Sequence, residues 1–81
     1  MPTNETWRVA SGEDLGRALA GVRRRRGLSQ EEAAGVIGVQ RSYLAEIEAG
    51  RSVQMVDRVL RLLRRMGAEV TVTLPRSEDD A

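Results

Sequence analysis

Residues 28–50, LSQEEAAGVIGVQRSYLAEIEAG, decide how this chain folds. Ser29 with Glu32 is a full capping box, in which each side chain can satisfy an orphan backbone N–H at a helix start. A helix therefore begins at Gln30 and is expected to reach about Ile37, with Ala33, Ala34 and Ile37 on its inward side. The small alanines let a second helix approach closely. Gly38 supplies the turn, Val39 follows as an apolar anchor, and a second helix is expected from about Gln40 to Ala49. Leu44 and Ile47 face inward there, and Gly50 closes the helix.

Two short helices joined by such a turn form a helix-turn-helix, a unit that lays its second helix in the major groove of DNA. Gln40, Arg41, Ser42, Ala45 and Glu46 fall on the outer, N-terminal part of that second helix. Arginine can grip guanine O6 and N7 as a fork, serine can reach several base edges, and glutamate can accept from cytosine N4. An ordinary solvated helix face would carry the same polarity. The neighbouring turn is what favours the DNA reading.

Upstream, Ser11 is an N-cap, and Asp14 three residues on makes an approximate capping box. A helix is expected from there to about Arg26, with Leu15, Ala18, Leu19 and Val22 on one face, and Gly27 at the left-handed C′ position. Arg23 to Arg26 suit the negative end of the helix dipole and are equally suited to phosphate. Residues 1–10 read as an arm with Trp7 tucked against a neighbouring helix, or as an arm entering the minor groove.

Downstream, a fourth helix is expected from about Val53 to Met66. Val56, Val59, Leu60 and Leu63 make a core stripe, and Met55, Val59, Leu62 and Met66 make a second one. A single surface helix in a small monomer needs one such face, so the second stripe points to a partner or to cover by the arm. Arg58, Arg61, Arg64 and Arg65 project to solvent, with Asp57 and Arg61 spaced for an i,i+4 pair. After Gly67 the period becomes two: residues 68–74 alternate apolar with Glu69, Thr71 and Thr73, which marks a β-strand ended by Pro75. A strand needs a ladder partner. The first candidate is the same strand of a second copy about a two-fold axis, then residues 6–9, then another protein.

Composition narrows the function further. The 81 residues make one small domain whose core gains from oligomerisation. Cysteine and histidine are absent, which removes disulfides, the usual zinc sites and nucleophile–histidine dyads. All 13 basic residues are arginine, so lysine chemistry is out as well, and neither enzymatic activity nor a metal or other cofactor is expected. Residues 1–66 hold 12 arginines against eight acids, whereas the remainder holds one against four. A basic body with an acidic tail suits a phosphate-binding face with a separate end. No apolar run is long enough to span a bilayer and no signal peptide is visible, so a cytoplasmic protein is expected.

Residues 29–34 (SQEEAA), Gly38-Val39, residues 41–44 (RSYL) and residues 47–50 (IEAG) together resemble the Xre/Cro type of helix-turn-helix, over about residues 15–67. Within that family, a helical domain followed at once by one strand, as at 68–74, is similar to the HipB-like antitoxins. The resemblance implies an all-α, lambda-repressor-like domain of four to five short helices, plus one C-terminal strand paired across a homodimer. It implies a sequence-specific repressor that binds a palindromic operator in double-stranded DNA and neutralises a HipA-like serine/threonine kinase toxin. By position, Arg41, Ser42 and Glu46 would read bases. Gln30, Gln40 and Tyr43 would meet phosphates, and Arg23 would pair with Glu48 while lying near the backbone. Val70, Val72, Leu74, Leu62 and Met66 would serve dimerisation. The layout expected is an arm at 1–10, a DNA-binding domain at 11–67, a dimerisation strand at 68–75 and an acidic tail at 76–81. A stand-alone regulator without a toxin, or an interaction module that has lost DNA binding, are the alternatives.

Overall fold

The computed structural model describes residues 4–51 and 54–76. The expected helix start at Val53, the first three residues of the arm and the tail beyond Arg76 lie outside them. In chain order the elements are β1 (Glu5–Arg8), α1 (Gly12–Arg25), α2 (Gln30–Ile37), α3 (Arg41–Glu48), α4 (Gln54–Arg65) and β2 (Thr71–Leu74). Four helices with a small antiparallel sheet make the expected helical helix-turn-helix domain with a terminal strand.

Local chemistry sets the helix ends. Ser11 accepts from the Asp14 N–H at 3.1 Å, while the Asp14 carboxylate reaches one residue beyond a standard capping box and accepts from the Ala10 N–H at 2.9 Å. That backbone hydrogen bond, helped by Arg17, holds the Asp14 carboxyl below its ordinary value despite partial burial. At α2 both halves of the Ser29–Glu32 box are present. Gly38 follows with φ of 76°, a left-handed conformation that costs glycine little and turns the chain into α3. Asp57 on α4 accepts from the Gly12 N–H, an otherwise orphan donor at the start of α1. It therefore ties α4 to α1 and is absent from the ion pairs among the described residues, where a partnership with Arg61 was expected.

Two glycines set the packing. A Cβ on Gly16 would lie 2.4 Å from the Ile47 carbonyl oxygen and 2.6 Å from that of Glu48, so only glycine allows α1 to cross α3 this closely. A Cβ on Gly21 would lie 2.5 Å from Trp7 Cζ2, so Trp7 rests directly on the α1 backbone. The central cluster is Val9, Ala18 and Leu60, with Trp7, Leu15, Val56, Val70 and Val72 packed around it. Leu44 and Ala34 seal the α2–α3 contact.

The sheet corrects the expected strand partner. β1 pairs antiparallel with β2 inside one chain, with Trp7 opposite Val72 and Arg8 opposite Thr71. The Val9 N–H donates to the Val70 carbonyl at 2.9 Å, extending the ladder. The first-ranked partner, a second copy, is thus not needed on this edge. The physical reason is that Val70 and Val72 bury their side chains on the chain's own core, which carries the arm alongside. Val70 and Val72 are half-buried there, and Leu74 is half-buried on the same side. Because Val9 bonds to the directly opposed Val70, alternation places Trp7 with Val72 in the same bonded class. The backbone groups of Thr71 and Thr73 then point to the sheet's open edge.

Two inward assignments also change. Ile37 is 65% exposed, because α2 ends at Gly38 and buries only Ala34 against α3. Val59 is 50% exposed and belongs to the second stripe alone, with Met55, Leu62 and Met66, all more than half exposed. The described part of the arm does not cover that stripe. Among the described residues no helix is long and apolar enough to cross a membrane.

Candidate nucleic-acid interface

The geometry of α3 follows from its burial pattern. Leu44 is 3% exposed and Ile47 half-buried, so the helix turns Arg41, Ser42 and Glu46 outward, all three exposed. Gln40 sits at the N-cap with extended backbone, and its side chain makes no capping hydrogen bond. It is exposed and lies beside Tyr43, which is 52% exposed.

Two open grooves flank this helix. One is lined by Gly38, Val39, Gln40, Ser42, Tyr43 and Glu46. The other is lined on the α3 side by Ala45, Glu48 and Ala49, and across from them by Gln30, Arg24 and the α1–β1 wall. At 100° per residue Arg41 falls on the same side of α3 as Ala45 and Glu48, nearer the start of the helix.

The base of the helix is held by one carboxylate. Arg23 donates from Nε to Glu48 Oε2 at 2.6 Å and from Nη2 to Oε1 at 3.0 Å, a two-pronged pair. Its Nη1 donates to the Leu28 carbonyl at 2.8 Å. Gln30 Nε2 adds a further hydrogen bond to Glu48 Oε1 at 3.0 Å. The end of α1, the α1–α2 loop, the first turn of α2 and the last turn of α3 therefore converge on the Arg23–Glu48 pair. Burial alone would push the Glu48 carboxyl up, but the hydrogen bonds from Arg23 and Gln30 outweigh it and hold the group below its ordinary value. The same pair pushes the Arg23 guanidinium up.

The structure thus brings together Arg23, Glu48 and Gln30 as one partly buried unit and displays Arg41, Ser42, Glu46, Gln40 and Tyr43 on the surface. Arg23, with a side chain only 10% exposed, is committed to the interior. Arg24, the next residue, is exposed, and no ion pair of it occurs among the described residues. The run of four arginines hid this division, because Arg25 pairs with Glu5 at 2.6 Å and Arg26 donates to the Pro75 carbonyl at 3.1 Å. The 3.6-residue period distinguishes 23 from 24 only once the packed face of α1 is known.

Comparison with known proteins points the same way. Residues 14–74 match the family model described as a helix-turn-helix domain. The chain is 31% identical over 68 residues to the "Uncharacterized HTH-type transcriptional regulator y4mF" of Sinorhizobium fredii (strain NBRC 101917 / NGR234), covering 84% of this chain and 90% of that one. No solved structure matches it.

Proposed function

Since this chain belongs to the helix-turn-helix domain family of DNA-binding transcriptional regulators, we propose that it is a sequence-specific repressor acting as a homodimer on an inverted repeat. The observation that carries this reading is α3: its outward face offers Arg41, Ser42 and Glu46 on a helix braced at its base by the Arg23–Glu48–Gln30 unit. Arg41 forks onto guanine, Ser42 and Glu46 reach adjoining base edges, and Gln40 and Tyr43 hold the backbone beside them. Dimerisation is supported by the apolar stripe of Met55, Val59, Leu62 and Met66 on α4, which a monomer leaves in water. The open edge of β2 at Thr71 and Thr73 offers a second place for copies to join.

We further propose that the protein belongs to the HipB-like branch of the Xre/Cro type, and that it controls its own operon and restrains a HipA-like kinase toxin. The support is the resemblance in the helix-turn-helix residues, together with a helical domain that runs directly into a strand.

Fluorescence anisotropy against labelled operator duplexes tests the DNA reading. Arg41→Ala costs about 1–3 kcal/mol of specific binding and relaxes base choice at one position in each half-site. An Arg41→Ala variant with unchanged specificity refutes the assignment. Recovery of a kinase with the tagged protein from its native cell tests the antitoxin reading, and recovery of the protein alone speaks for a stand-alone regulator.

A further inference from the structure

We infer that Arg24 and Gln30 together hold one DNA backbone phosphate beside α3, making Arg24, and not its neighbour Arg23, the phosphate-binding arginine of the α1 terminus. This inference rests on the DNA-binding reading above.

Three observations support it. Arg23 has its Nε, Nη1 and Nη2 all engaged within the protein and is nine-tenths buried, and its charge is balanced by Glu48. As a unit that pair is neutral and presents no net charge to a phosphate. Arg24 lies on the next 100° of the helix, exposed, and lines the groove together with Gln30, Ala45 and Ala49. It is close enough for its charge to act on the Glu48 carboxylate.

Gln30 is the second half. A carboxylate only accepts, so the group that Gln30 turns towards Glu48 must be its NH2 end. One N–H is used there and the other remains to donate. The side chain is therefore fixed before any ligand arrives, which lowers the entropy cost of the contact. Ala45 and Ala49 have short side chains and leave the groove beside α3 open to a backbone phosphate. Arg41 falls on the same side of α3 as the groove-lining Ala45 and Glu48, so a duplex read by Arg41 brings its backbone towards that groove.

The test is a salt titration of binding to a fluorescein-labelled duplex from the region upstream of the protein's own reading frame, with a scrambled duplex alongside. In Arg24→Ala the slope of log K against log salt becomes shallower by about 0.9 per protomer. The affinity falls by a similar factor on both duplexes, because a phosphate contact carries no sequence information. Arg24→Lys keeps the wild-type slope. Gln30→Ala weakens binding with no change of slope, and the double variant loses less than the sum of the two singles, since both groups serve one phosphate. Arg24→Ala melts with the wild type, as an exposed side chain should. An unchanged slope in Arg24→Ala, strictly additive losses, or a loss confined to one base position overturns the inference while leaving DNA binding intact. Wild-type protein without salt-sensitive binding overturns the DNA reading itself, and the inference with it.

Discussion

Replacing Arg23 by alanine strips the partner from a carboxylate whose side chain is only 6% exposed. Removing one member of a buried ion pair costs about 3–5 kcal/mol, because the remaining charge is left in a poorly solvated site. Gln30 still donates to Glu48 in that variant and Arg24 still lies nearby. The lower end, about 3 kcal/mol, therefore applies. A chain of this length is stable by about 4–12 kcal/mol in all, so the loss is a large fraction of the total. At about 4–8 °C per kcal/mol it lowers the melting temperature by about 12–24 °C, read by far-UV circular dichroism and by urea titration. An Arg23→Met/Glu48→Leu double variant should recover much of the loss, since two apolar side chains of similar bulk leave no stranded charge. An Arg23→Ala protein that melts within about 3 °C of wild type would show the pair to be worth no more than a surface one, and the brace under α3 would fall.

Other outcomes follow from the same contacts. Gly21→Ala drives a methyl into Trp7, the single tryptophan, so emission shifts to the red and about 1–3 kcal/mol is lost; unmoved emission with a gain in stability contradicts the packing. Leu62→Glu or Met66→Glu places charge in the exposed α4 stripe, converting a dimer to a monomer by light scattering without lowering the monomer's melting temperature. A variant that stays dimeric at low concentration excludes that stripe as the interface. The Glu48 carboxyl is held below its ordinary 4.5 in the fold, so in this window the unfolded chain binds more protons. Its contribution is complete above about pH 4.5 and is lost as the pH falls through the folded value, and Glu48→Gln flattens that acid limb in urea titrations. An acid limb as steep as wild type in Glu48→Gln contradicts this.

What was legible in the sequence was what local chemistry writes. The Ser29–Glu32 box, the turn at Gly38 and the alternation leading to β2 each depend on residues within a few positions; α2 appears at its expected bounds, and β2 ends where expected but starts three residues late. What was hidden depends on distant partners. Residues 6–9 stood second among the candidate ladder partners and prove to be the one used. β1 acquires its structure from a strand more than sixty residues away, which four residues of local pattern could not rank first. Asp57 looked like half of an i,i+4 pair, yet its acceptor oxygens found an orphan N–H on α1, a stronger claim than an exposed arginine. Ile37 has the right period for the core, but α2 stops before any element covers it. At the site, the exposed face of α3 could be drawn from periodicity alone. The attachment of Gln30 to Glu48, and the separate fates of Arg23 and Arg24, required the α1–α3 crossing that Gly16 allows.

The central claim is that two copies of α3 read DNA at a fixed spacing, and selection of bound sites from a random duplex library by the purified protein tests it most directly. The account predicts an enriched inverted repeat whose half-site centres lie about one helical turn, about 10 base pairs, apart. It also predicts that Arg41→Ala broadens one position in each half. No enrichment, or a lone half-site without symmetry, would contradict it.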